Sequence, residues 1–237
     1  MAPPMEGPVH VGVGEVDLKG DLNRPEAGGL VLFAHGSGSS RHSPRNTSVA
    51  GVLRERGLST LLFDLLTERE DKTYETRFDI DLLTDRLTGA TDWVRSSEGL
   101  EGAPIGFFGS STGAAAALLE AAARDDIGAV VSRGGRVDLA ASVLVDVAIP
   151  TRFIVGGADT QVLERNREVL GALAREKALA VVEEAVHLLE GPGELEEVAE
   201  LAASWFTEHL GQSSAPVGFT PDAGRWAATS QLCSSSA

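Results

Sequence analysis

Hydrophobic and polar positions change rhythm along the chain. Residues 9–13 (VHVGV) and 16–18 (VDL) alternate apolar and polar side chains. A period of two turns one face inward and leaves the other wet, so these two runs predict a half-exposed antiparallel pair. Later runs are apolar throughout: 30–34 (LVLFA), 60–63 (TLLF), 105–108 (IGFF), 127–131 (IGAVV), 152–155 (RFIV) and 179–182 (LAVV). Strands of this kind are covered on both faces. Separated by helical patterns, they predict a mostly parallel central sheet in an α/β fold.

The helical patterns lie between those runs. Residues 49–56 end at Gly57, a helix-terminating glycine. Ile80, Leu83, Leu87, Ala90 and Val94 mark one face of a helix over 79–95, and an alanine-rich pattern follows Gly113. Val162, Asn166, Val169, Leu170 and Leu173 mark another. A last helix is expected to open at Pro192, to turn Leu195, Val198, Leu201, Trp205 and Phe206 inward, and to stop at Gly211. Residues 1–211 read as one domain. Beyond them, residues 212–237 are rich in Ser, Ala, Pro and Gly without periodicity and are expected to form a disordered tail.

Composition narrows the partners. The chain has 237 residues, 43% hydrophobic, with a formal net charge of −15 at pH 7. That charge disfavours nucleic acid and anionic membranes. The single cysteine, Cys233, excludes a disulfide framework and a cysteine zinc site. The first ten residues, MAPPMEGPVH, lack a basic region and an apolar core, and no apolar run is long enough to span a membrane. A cytoplasmic protein is expected, with self-association left open.

One junction carries chemistry. The buried run 105–108 is followed by Gly109-Ser110-Ser111-Thr112-Gly113 and then by a helix. This is G-x-S-x-G with Ser111 in the middle. On a sharp strand-to-helix turn the backbone is strained, and glycines two positions away on either side remove side chains that would collide. The turn lifts the serine hydroxyl above the sheet and points the Thr112 N–H toward a reacting carbonyl. Ser110 then reads as a filler of the turn. The alternative is a glycine-bounded turn that holds a phosphate or nothing.

A serine needs a base, and the base needs an orienting acid. Downstream, IVGGADTQV presents Asp159 after one strand, and LAVVEEAVHLLEGPG presents His187 after the next. The order serine, acid, histidine and the loop positions fit a triad of Ser111, Asp159 and His187. Asp64, after TLLF, is a second candidate acid, read instead as a loop-capping carboxylate. The loop HGSGSSRHSPRN (35–46) supplies a second oxyanion donor, the Ser37 N–H, with His35 in a structural role. Four positions of a dinucleotide fingerprint fall in the same loop, but Arg41 replaces the last glycine and no phosphate-loop lysine motif exists. No metal and no cofactor are expected. Arg41, Arg133 and Arg136, with Arg45, stand at loops near the strand ends. They predict either a basic rim for a carboxylate or phosphate on the substrate, or loop-tying pairs with Asp138, Asp64 or Glu68.

With these residues in place, LFAHGSGSSRHSPRN, LLFDLLTERED, GFFGSSTGAAAAL, VSRGGRVDLA and FIVGGADTQVLERN together resemble an α/β-hydrolase of the dienelactone hydrolase-like group. The resemblance covers roughly residues 8–210 and points to a bacterial branch associated with phosphoribosyltransferase-like domains. It implies Ser111 as nucleophile, Asp159 as acid, His187 as base, and the Ser37 and Thr112 N–H groups as oxyanion hole. Dienelactone hydrolase proper has a cysteine where this chain has Ser111. No acidic phosphoribosyl-pyrophosphate loop is present, so transferase activity is not expected. Only residues 132–151 separate the sixth and seventh runs, so no large lid is expected and the cleft suits small or accessible esters. The expected activity is ester hydrolysis through an acyl-enzyme. A thioesterase, a lactonase and a non-catalytic binding module of the same fold are the alternatives.

Overall fold

In the computed structural model, residues 6–24 and 28–211 are described; the expected tail and Cys233 lie outside them. The chain runs β1 (Gly7–Val13), β2 (Val16–Asn23), β3 (Leu30–Ala34), α1 (Pro44–Glu55), β4 (Ser59–Phe63), α2 (Ile80–Ser96) and β5 (Ile105–Ser110). It continues through α3 (Thr112–Ala123), β6 (Ile127–Arg133), β7 (Thr151–Gly156), α4 (Thr160–Leu170), β8 (Lys177–Val182) and α5 (Glu194–Leu210). The strands form one eight-stranded sheet in the order β1-β2-β4-β3-β5-β6-β7-β8. Pairs β1–β2 and β2–β4 are antiparallel, and every pair from β4 to β8 is parallel.

Burial follows the two rhythms. Val9, Val11 and Val13 point inward from β1 and their neighbours face out, whereas β3, β4 and β5 are buried at every position. One face of the sheet packs against α2 and α3 through Leu83, Leu87, Ala115 and Leu118, and the other against α1 and α5 through Val49, Leu53, Val198 and Phe206. Burying that much apolar surface on both faces drives the fold, at about 25 cal/mol per Å² removed from water.

Four boundaries differ from expectation. α4 stops at Leu170, where Gly171 caps it, so Leu173, read as part of its stripe, lies beyond the helix. β2 runs to Asn23, past residues 16–18, because Gly20 faces inward and gives no apolar signal; a Cβ there would lie 3.1 Å from Val9 Cγ2. α1 begins at Pro44, five residues before the apolar stripe, because the Ser43 side chain accepts from the Asn46 N–H at 3.4 Å and Pro44 suits a first turn. α5 begins after Gly193, not at Pro192. Gly193 holds φ 81, and the Glu194 carboxylate accepts the Gly191 N–H at 2.9 Å, so chain reversal occupies the position read as a helix start.

The segment 134–150, between β6 and β7, carries a 3-10 stretch (Val137–Asp146) packed on α3, not an inserted domain. Residues 64–79 after β4 form two short 3-10 turns, Glu70–Lys72 and Glu75–Phe78.

Candidate functional site

Parallel strands end their carboxyl termini along one edge, and the candidate groups gather there. Ser111 sits between β5 and α3 with φ 49 and ψ −118. A non-glycine residue there costs about 1–3 kcal/mol and persists only where surroundings enforce it. The surroundings are specific. The Ser111 carbonyl accepts from the Ala114 N–H at 3.1 Å and the Arg136 N–H at 3.0 Å, and its N–H donates to the Arg133 carbonyl at 3.2 Å. Both flanking glycines are required by contact. A Cβ on Gly113 would lie 2.1 Å from the Ala34 carbonyl oxygen, and one on Gly109 would lie 2.5 Å from Ala114 Cα.

Asp159 follows β7 and His187 lies in the loop between β8 and α5. Their side chains meet, His187 Nδ1 to Asp159 Oδ2, at 2.7 Å. The two loops are stitched together by the Ala158 N–H to the Ala185 carbonyl at 3.0 Å and the Gly157 N–H to the Val182 carbonyl at 2.8 Å. Two left-handed residues, Glu184 (φ 58) and Leu189 (φ 55), bracket His187 and fold its loop back over the sheet edge. The ring lies over Gly134, where a Cβ would be 3.2 Å from Cε1. Gly134 belongs to the turn whose Arg136 N–H holds Ser111. Thus Asp159 and His187 are in direct contact, and the turn 133–136 lies against both the His187 ring and the Ser111 backbone. No hydrogen bond joins Ser111 to His187 among the described residues; such bonds tighten when substrate binds.

The loop after β3 presses on the serine from the other side, since a Cβ on Gly36 would lie 3.0 Å from Ser111 Cβ. The Ser37 N–H, expected to be free for an oxyanion, donates at 3.0 Å to Thr112 Oγ1, a fully buried hydroxyl. His35 is buried between two backbone groups. Nδ1 donates to the Gly36 carbonyl at 3.0 Å and Nε2 accepts from the Leu65 N–H at 3.0 Å, which specifies one neutral tautomer. Burial pushes its pKa below the ordinary value.

Two of the three rim arginines are tied down. Arg41 pairs with Asp64 and, at 3.1 Å, with Asp21; Arg136 pairs with Asp138 at 2.9 Å. This corrects the picture of a free rim at Arg41 and Arg136, while Glu68 pairs with Lys19. Asp64 also accepts the Arg41 N–H at 2.8 Å, the loop-capping role. Arg133 differs: it is 8% exposed and has no carboxylate within ion-pair range among the described residues. Its Nε donates at 3.3 Å to Ser110 Oγ, which in turn donates to Asn46 Oδ1 at 3.3 Å. Ser110 is therefore a bridge between β6 and α1 as well as a turn residue.

The sequence pattern did not single out Asn46, or residues 72–78 beyond the LLFDLLTERED run. Asn46 is a fully buried amide whose only local sign is a polar residue within α1's apolar side. In 64–79, Arg77 reaches the oxyanion loop, with its Nη1 3.7 Å from a Cβ built on Gly38, and Tyr74 and Phe78 stack at 4.9 Å in the open.

Comparison with known proteins agrees with this fold. The chain is 52% identical to the dienelactone hydrolase of Anabaena variabilis ATCC 29413, with a TM-score of 0.85 over 87% of this chain and 99% of that one. It is 50% identical over 204 residues to two Mycobacterium tuberculosis proteins named provisionally as phosphoribosyl transferases; the match takes in 85% of this chain and 46% of theirs, about half their length. An α/β serine hydrolase homologue of Coxiella burnetii shares the fold at 19% identity, with a TM-score of 0.72 over 86% of this chain and 99% of that one. No protein-family model matches the chain.

Proposed function

Because the chain belongs to the dienelactone hydrolase family, we propose that it is a serine hydrolase of carboxylic esters working through an acyl-enzyme. The observation that carries the reading is the enforced left-handed conformation of Ser111 opposite the Asp159–His187 pair. His187 Nδ1–H donates to Asp159, which leaves Nε2 as the base. The Ser111 hydroxyl gives its proton to Nε2 while Oγ attacks the ester carbonyl. The resulting oxyanion takes the Thr112 N–H and the Ser37 N–H, which exchanges the Thr112 hydroxyl for the stronger acceptor. Collapse expels the alcohol with the proton from Nε2, and water attacks the acyl-enzyme by the same path in reverse.

Substrate access follows from the exposed rim. Val186 and Leu188 beside His187 are 50% and 42% exposed, and Leu139 is 41% exposed. An open apolar rim suits small or accessible acyl groups. The reading is tested by turnover of matched aryl esters, thioesters and lactones. Ester hydrolysis that drops by roughly 10⁴-fold in Asp159→Asn is expected, because the wrong imidazole tautomer is then held. Ester hydrolysis unchanged in that variant, or turnover confined to thioesters, contradicts the reading.

A further inference from the structure

At this end of the sheet Arg41 and Arg136 have carboxylate partners, but Arg133 and Arg45 have none among the described residues. Arg133 is 8% exposed and spends only Nε, on the neutral Ser110 hydroxyl. Arg45, in the first turn of α1, has a buried Nε without a hydrogen-bond partner. Asn46, its chain neighbour, reaches the same Ser110 oxygen, which sets the start of α1 against Arg133. Burial and the charge of Arg45 together pull the Arg133 pKa down to about 10. The first turn of α1 holds no acidic residue, so the positive end of that helix dipole adds to the two guanidinium groups.

Burying a cation costs several kcal/mol unless an anion and its hydrogen bonds compensate. Here the start of α1 and the Arg133 side chain meet at Ser110, beside the nucleophile turn, in a chain whose formal net charge is −15 at pH 7. We propose that Arg133, Arg45 and the first turn of α1 form a subsite for a phosphate group carried by the substrate. Two uncompensated guanidinium charges match a phosphate monoester, which holds about −1.5 to −2 at pH 7, better than a carboxylate. The planar guanidinium fork also suits bidentate contact with phosphate oxygens. Calling this group part of the substrate rests on Ser111 being the nucleophile; the binding of phosphate there does not.

The test separates the two. Inorganic phosphate is titrated calorimetrically into the Ser111→Ala protein and into the same protein carrying Arg45→Gln or Arg133→Gln. Binding that weakens about tenfold or more in each is expected, since a charge-assisted pair is lost. Arg45→Gln, at a half-exposed position, stands in should Arg133→Gln fail to fold. In parallel, wild-type kcat/KM is compared for matched esters bearing a phosphate, a carboxylate or a neutral group. A preference for the phosphate ester that Arg45→Gln abolishes supports the subsite. Phosphate binding indifferent to Arg45, or equal rates on the three esters, overturns it. Phosphate binding without any ester turnover leaves the subsite standing and sinks the serine reading instead.

Discussion

Thr112 is the residue at which sequence and structure give different pictures of one group. The motif places its N–H in the oxyanion hole, yet its side chain occupies the other expected donor, Ser37 N–H, at 3.0 Å. If the hydroxyl only holds that N–H in readiness, Thr112→Val keeps kcat within about tenfold, because both N–H donors survive. A loss of about 10²-fold or more, the cost of deleting one oxyanion donor, with recovery in Thr112→Ser, would make the hydroxyl itself a donor. The residues that could be read directly were those whose type and local context coincide: Ser111 between glycines, and Asp159 and His187 at strand ends. Arg133 and Asn46 could not be weighed, because what matters is the absence or presence of a partner many residues away.

At the scale of elements, the G-x-S-x-G turn is the piece most tightly specified. A methyl on Gly113 would sit 2.1 Å from the Ala34 carbonyl oxygen, so β3 and α3 cannot both keep their places. Gly113→Ala is expected to destabilise by about 3 kcal/mol, the upper end of overpacking costs, and Gly102→Ala, with open space, to stay within about 0.5 kcal/mol. Urea unfolding of the pair checks this; equal midpoints would show that the turn relaxes freely. Element type was legible because burial imposes period: continuous apolar runs became β3 to β7, and the stripe from Ile80 to Val94 became α2. Ends were less legible. Gly20 and Gly193 are placed by a close contact and a left-handed φ, neither of which leaves an apolar signature.

For the whole molecule, the sheet edge acts as a scaffold on which buried polar groups hold loops, and this has a pH signature. His35 is held neutral, accepting the Leu65 N–H that the imidazolium could not accept. Its native pKa is lowered, so the unfolded chain binds the proton more readily. The stabilisation is full above the ordinary value of about 6.5 and is lost as pH falls from there toward the lowered one. Asp126, held well below the usual carboxylate range by Arg124 and Arg95, acts in a separate window below about pH 4. Thermal midpoints should therefore begin to fall as pH drops below about 6.5, ahead of the carboxylate window, and a flat profile there would mean that the His35 bonds are not held in solution.

All of this converges on an activated Ser111, and the most direct measurement is intact mass after treatment with a fluorophosphonate. Phosphonylation needs a serine whose proton is taken by a base and whose developing oxyanion is stabilised. The account predicts one adduct on the wild-type protein and none on Ser111→Ala. A folded wild-type protein that remains unlabelled, or an adduct that persists in Ser111→Ala, would contradict it.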